Sequence, residues 1–367
     1  MFSLRRSLLL LVVVGLCWWF LPRSSSTGGN NIKANPPSQQ PHSPPSRPLR
    51  RPEDSAGNET LGFQQILALS NGPSWRTRGL LAAADLTGLQ ISIPPQPPLH
   101  PTIVEAFTHF GAEDIPFSNP AHGASVAWLA HLDLIKHAIQ SDLETVLILE
   151  DDVDWDVGIR AQMKRVSSAV RDLTHTPAED TSAPYGRAWD VLWIGHCGEA
   201  WDQRYDTVVF DDPDVPLHAD HLGWVKGYQG YVPWLEYPRR GVYRSLWPVC
   251  SFAYALSRNG MKKVLQLTGG GQGHAFDIKL ATECRMATLE CISVVPEVMH
   301  QYFPDPGFGA RSLVDIGNGQ GTGPEGSGFE AVMGTTENIL NSARCRALWG
   351  DTCLKQPEPE PEPPAEQ

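Results

Sequence analysis

Apolar residues recur along the chain with two different periods, and their succession predicts an α/β fold. Residues 63–69 (F-Q-Q-I-L-A-L) are expected as a strand, and Asn71-Gly72-Pro73 then turns the chain. Leu80, Leu81, Ala83, Ala84 and Leu86 follow at helical spacing and stop at Thr87-Gly88, a C-cap signal. A second strand over 89–93 completes one βαβ unit, and 94–101 is a proline-rich loop. Trp128, Leu132, Ile135 and Ile139 share one face of a helix expected over 124–140. Ile159, Met163, Val166, Val170 and Leu173 mark another amphipathic helix, with Asp156 as its expected N-cap. Strands are also expected at 189–194 and 292–298, and helices at 261–267 and 274–285. Residues 199–240 read as irregular, and the glycine-rich run 305–335 carries no clear period.

The pattern changes character at 145–156, T-V-L-I-L-E-D-D-V-D-W-D. A short, wholly apolar run, Val146 to Leu149, predicts a strand buried on both faces, as in a parallel sheet. Glu150, Asp151, Asp152 and Asp154 then fall at the strand's C-terminal edge, where open α/β sheets bind ligands. Carboxylates this close repel one another unless a cation neutralises them. Oxygen-only ligands suit Mg²⁺ or Mn²⁺, ions that commonly also hold substrate phosphates. The plainer alternative is a solvated acidic turn that leads into the next helix. No G-x-G-x-x-G and no G-x-x-x-x-G-K-S/T occurs, which argues against a dinucleotide fingerprint and a P-loop. His131, beside the apolar stripe of its helix, is expected to pack or cap rather than ligate. Asp211, Asp212, Asp214, His218 and His221 fit no known metal spacing and read as a solvated loop. The aromatics of that region (Trp224, Tyr228, Tyr231, Trp234 and Tyr237) suit contact with sugar or protein. Glycines 269–271 and 273 make a mobile lid or a linker.

Charge and cysteine content narrow the setting. The net charge of −12 and the lack of a basic stripe exclude nucleic acid as an expected partner. Arg5 and Arg6 precede an apolar run over 7–21 that ends in Trp18, Trp19, Phe20 and Leu21. Residues 1–22 are therefore read as an uncleaved signal anchor of a single-pass type II protein, with the remainder lumenal in the ER or Golgi. A cleaved signal peptide and secretion is the alternative. Residues 23–57 form a Pro/Ser-rich stalk, 58–355 the folded domain, and 356–367 a disordered Pro/Glu tail. Asn58-Glu59-Thr60 is a glycosylation sequon at the stalk's end. Beyond Cys17, six cysteines permit disulfides, with Cys284/Cys291 and Cys345/Cys353 the favoured pairs and buried free thiols the alternative.

Five stretches together resemble fungal members of glycosyltransferase family 25, which includes lipopolysaccharide-biosynthesis and procollagen galactosyltransferases. They are L-I-L-E-D-D-V-D-W-D, W-D-V-L-W-I-G-H-C-G-E, S-F-A-Y-A-L-S-R-N-G-M-K-K-V-L, F-D-I-K-L-A-T-E-C-R and P-E-V-M-H-Q-Y, spread over roughly 58–354. The resemblance implies a GT-A-like nucleotide-sugar-binding fold, with a mostly parallel central sheet flanked by helices. It also implies a Mn²⁺ or Mg²⁺ ion, a nucleotide-sugar donor such as a UDP-sugar, and inverting transfer of a hexose, galactose foremost, to a glycan or glycoprotein. On this reading Glu150, Asp152, Asp154 and His300 hold the metal, and Asp277 and Asp152 are catalytic, Asp277 as base toward the acceptor. Arg76, Arg78, Asp151 and Asp190 contact the donor. Two departures bear on the donor side. Ser70 to Gly79 reads S-N-G-P-S-W-R-T-R-G without the family's acidic member, and Val126 to His131 lacks its Cys and Arg. Two rival readings are a lumenal carbohydrate-binding protein on an inactive transferase fold, and a glycoside hydrolase using two of the acids.

Overall fold

The computed structural model describes residues 51–111, 118–202, 204–217, 234–305 and 330–355. The expected anchor, residues 23–50 of the expected stalk and the tail lie outside the described residues, as do His218, His221, Trp224, Tyr228 and Tyr231. Residues 51–57, expected as the end of the stalk, instead belong to the folded domain: they carry the helix Pro52–Ser55 and bury Ala56 in the core. No helix among the described residues is long and apolar enough to cross a membrane.

The first half of the domain runs α1 (Pro52–Ser55), β1 (Gln65–Leu69), α2 (Trp75–Thr87), β2 (Ile91–Ser92), α3 (Pro101–Phe107), α4 (His122–Gln140), β3 (Thr145–Glu150), β4 (Val153–Trp155) and α5 (Ile159–Leu173). The second half runs β5 (Val191–Gly195), β6 (Thr207–Asp211), β7 (Arg239–Arg244), β8 (Ala253–Ser257), α6 (Arg258–Thr268), α7 (Phe276–Arg285), β9 (Cys291–Val295), β10 (Met299–Phe303), β11 (Thr335–Thr336) and α8 (Ala343–Trp349). The expected α/β architecture is present: a central sheet in the order β2-β1-β3-β8-β5-β9-β7-β6, with helices on both faces.

Strand β3 alternates between two cores, as a strand buried on both faces must. Leu147 and Leu149 join Leu80, Met163 and Val166 of α2 and α5. Val146 and Ile148 join Trp128, Ile135 and Met261 of α4 and α6. Helix α2 starts on Ser74, whose Oγ accepts from the Arg76 amide, and ends on Gly88 at φ +66°. The glycine C-cap is the one expected; the serine N-cap supplies the acceptor that the first amides of a helix need.

The sheet is mixed, not mostly parallel. β1 pairs parallel with β2 and β3, and β5 with β9, but β8 runs antiparallel between β3 and β5. β7 is antiparallel to both β6 and β9. An apolar run records burial but not direction, so β8 could not be oriented from its residues. β6 and β7 also place regular structure at both ends of the expected irregular stretch 199–240. Asp156 does not cap α5, whose N-cap is Gly158; its carboxylate instead accepts from the amides of Gly158 (2.7 Å) and Asn341 (2.8 Å). Three disulfides form: the two expected pairs, and Cys197–Cys250.

Asp212 is not solvated. It is fully buried and ion-paired with Arg240 and with Arg165 at 2.6 Å. Glu199 is likewise fully buried; it accepts from the Trp247 amide at 2.5 Å and bonds Ser293 Oγ at 2.6 Å. Burial, only partly offset by these bonds, pushes its carboxyl up to about 8. The folded state therefore holds a proton that the unfolded chain releases above its ordinary value of 4.5. The associated stability is present below that pH and is lost as pH rises toward 8. Glu199→Gln, which keeps the shape without the charge, should be more stable than the parent at pH 8. The gap should narrow by up to about 1.4 kcal/mol per unit as pH falls toward 5. Urea unfolding across this range reads the effect, and a constant gap would exclude Glu199 as its source.

Candidate functional site at the β1/β3 switch

From β1 the chain goes to β2 on one side, and from β3 it goes on toward β5 on the other, so the strand order reverses between β1 and β3. Such a switch point opens a crevice. A pocket of about 530 Å³ lies there, lined by Ser70 and Asn71 after β1, by Glu150 at the end of β3 and by Asp151 and Asp152 after it. The topology brings two helix starts to the same edge. α4 leads down into β3 and α7 into β9, so the first turns of both line the pocket. Their N-caps, Ala121 and Ala275, offer no side-chain acceptor to the first amides.

The acids differ in how they are held. Glu150 accepts from Ser251 Oγ at 2.8 Å and stands 3.8 Å from His131 Nε2. Burial opposes its charge, but the His131 and Ser251 contacts outweigh that and keep its carboxyl below the usual value. Asp151 is pushed up to about 7 by burial and by the charge of Asp152. Asp152 is also raised, by burial and then by Glu150. Its Oδ2 accepts from Gln301 Nε2 at 3.0 Å, while its buried Oδ1 has no hydrogen-bond partner. Arg76 Nε lies 3.5 Å from Asp152 and 3.9 Å from Asp151. His131 has the packed role expected of it: stacked on Phe276 and bonded to Tyr254 Oη at 2.9 Å.

Arg344, fully buried in α8, clamps this turn from below. Its Nη2 donates to the carbonyls of Asp151 (3.0 Å) and Val153 (3.1 Å), and Nη1 to that of Arg76 (3.2 Å). One guanidinium thus sets the acids against the first turn of α2. Gly79 makes room for it, since a Cβ there would meet Nη1 at 2.2 Å.

The structure brings Glu150, Asp151, Asp152, Arg76 and Asp277 to one pocket. Asp277, in the first turn of α7, accepts from the Cys250 amide at 2.8 Å; burial still raises its carboxyl. Four expected residues are elsewhere. Asp154 is fully buried and bonded by Ser342 Oγ and the amides of Trp155 and Arg344, so it anchors α8 and has no free edge for an ion. His300 lies 2.8 Å from Glu297 and 3.4 Å from Glu337. Burial opposes its charge, yet these carboxylates carry it up to about 9, and His300 does not line the pocket. Asp190 sits at the opposite sheet edge, at the start of β5, and binds Lys263 and Asn259 of α6. Arg78 is half-exposed and paired with Glu330 at 2.7 Å.

Residues the sequence did not flag also face the pocket: Gln301, Ser251, Ser70 and His122. Strand alternation places Gln301, one position beyond His300, toward Asp152. A period-two reading of 299–303 could have found it.

Among the described residues, one trio of metal-capable side chains gathers its ligand atoms within 4.8 Å: Asp154, Cys345 and Cys353. The two sulfurs are spent on a disulfide. The pocket acids fit a cation differently, as a pair. Asp151 and Asp152 are hard oxygen donors, and the buried Oδ1 of Asp152 lacks any partner. One or two carboxylates plus substrate oxygens suffice for Mg²⁺-like ions.

Gly79→Ala should destabilise the fold by about 1–3 kcal/mol, because overpacking forces the Arg344 clamp to move. A urea midpoint within error of the parent would show that Arg344 yields freely.

No family model matches the chain, and no curated protein matches it in sequence.

Proposed function

We propose that this chain is a metal-dependent inverting glycosyltransferase with a GT-A-like fold. On this reading it moves a hexose, with galactose favoured by the sequence resemblance, from a nucleotide sugar to a hydroxyl of a glycan or glycoprotein. One observation carries the reading: an acid pair with an unpartnered buried oxygen stands at the switch point, in the same pocket as a third carboxylate, Asp277. The volume suits a ligand of nucleotide-sugar size. The uncapped starts of α4 and α7 favour an anion such as a diphosphate. The three disulfides accord with a lumenal or secreted setting.

Asp151 and Asp152 would hold Mn²⁺ or Mg²⁺, with Arg76 beside them and Arg344 fixing their backbone. When bound, the ion offsets charge developing on the leaving diphosphate. Asp277 takes the proton of the acceptor hydroxyl as that oxygen bonds the anomeric carbon from the face opposite the departing diphosphate. Its raised affinity for a proton suits a base working near neutral pH. Glu150, held ionised by His131 and Ser251, supplies fixed negative charge beside the acid pair. A single inverting displacement needs no protein nucleophile.

Calorimetric titration of the purified protein with a panel of nucleotide sugars, with and without Mn²⁺, tests the reading. Ion-dependent binding of one donor is expected. No binding to any of them by folded protein would favour a carbohydrate-binding role instead. Asp152→Asn should weaken ion-dependent donor binding about tenfold or more, since even outer-shell changes cost ~10–100-fold. Asp277→Asn should lower turnover by roughly 100-fold with little change in donor affinity. Equal loss of both would remove Asp277 as the base.

A further inference from the structure

Three consecutive residues, Cys250, Ser251 and Phe252, connect acids from different elements of the pocket. The Cys250 amide donates to Asp277 Oδ2 at 2.8 Å. Ser251 Oγ donates to Glu150 Oε1 at 2.8 Å, and the Phe252 carbonyl accepts from the Glu150 amide at 2.9 Å. All three precede β8, and Cys250 and Ser251 lie outside its ladder. Cys250 also has φ +67°, the left-handed region that L-residues other than glycine avoid. The exit of β5 keeps it there. Cys250 is disulfide-bonded to Cys197, its carbonyl accepts from Trp193 Nε1 at 3.0 Å, and the Cys197 amide donates to the Val249 carbonyl at 2.9 Å.

We propose that the Cys197–Cys250 disulfide is a positioning element of this site. It holds residue 250 in the conformation from which its amide fixes Asp277 and its neighbour fixes Glu150, so the site is assembled only when this pair is oxidised. The catalytic consequence rests on the transferase reading; the conformational one does not. Asp151 and Asp152 are held separately, by Arg344 and Gln301. Loss of the disulfide should therefore spare the ion and donor and misplace the base. Cys250 lines the pocket and is half-exposed, so the bond is open to a dithiol supplying the two electrons and two protons that reduction takes.

The test compares two double variants, Cys197→Ala with Cys250→Ala and Cys197→Ala with Cys250→Gly. Amide hydrogen exchange, Mn²⁺-dependent donor binding and donor turnover are measured on each. In the alanine pair, exchange at position 250 and in the first turn of α7 should rise while β3 and β8 stay protected. Turnover should fall roughly 10- to 100-fold, the scale of a 1 Å misplacement, with donor affinity nearly unchanged. Glycine adopts the left-handed conformation freely, so the glycine pair should regain protection and turnover. A disulfide that merely stabilised the fold would raise exchange in β3 and β8 together with position 250 and lower donor affinity and turnover alike. That result, or unchanged exchange at position 250 in the alanine pair, overturns the proposal. Should no nucleotide sugar bind even the parent, the transferase reading fails and the exchange measurement alone decides the clamp. Should neither variant fold, selective reduction and alkylation of this pair in the folded protein gives the same readout.

Discussion

A buried guanidinium beneath a turn of like charges is the interaction on which the rest of the site depends. Glu150, Asp151, Asp152 and Asp154 leave one strand within five positions, and such a cluster resists leaving water. Arg344 meets it without a direct ion pair to the pocket acids: its donors bind the carbonyls of the turn, and its charge partly offsets the burial that raises the Asp151 and Asp152 carboxyls. Burying that guanidinium is itself costly, and the cost is tolerable because three carbonyls and nearby carboxylates surround it. Several features follow. Gly79 must lack a side chain, Asp154 must face α8 rather than solvent, and Asp156 is drawn to the amide of Asn341.

The antiparallel insertion of β8 has a second consequence. A strand that runs against its neighbours starts where they end, so the residues before it arrive at the ligand edge. That is why 250–252 can touch both Glu150 and Asp277. Had β8 been parallel, that edge would have received its last residues instead. The pocket is thus supported from two directions: from below by α8, and from the side by the approach to β8.

Much of this was legible in the sequence because burial and period were. The apolar run of β3 gave a strand covered on both faces, and the spacing in α4 and α5 gave their inward stripes. Pairing across long separations left no local mark. Nothing near residue 151 signals that Arg344 lies beneath it, and nothing near Asp277 signals Cys250. The expected residues that lie away from the pocket do so for identifiable reasons. His300 is one position out of phase with the face that meets Asp152. Asp190 lies at the start of its strand rather than the end, which in a parallel neighbour of β9 is the far edge. Asp154 continues the acidic run but lies in β4, whose pairing with β10 turns it away from the opening.

The clamp also orders events in time. Arg344 lies 190 residues after the carboxylate whose oxygen its amide binds. At a synthesis rate of about 5–20 residues per second, that interval is roughly 10–40 s. For that time the emerging chain carries its acid turn with no Arg344 beneath it. The contacts that set the acid turn against α2 can form only once α8 has been made. The pocket's acid turn is thus fixed in place late in the birth of the molecule rather than when its acidic motif is made.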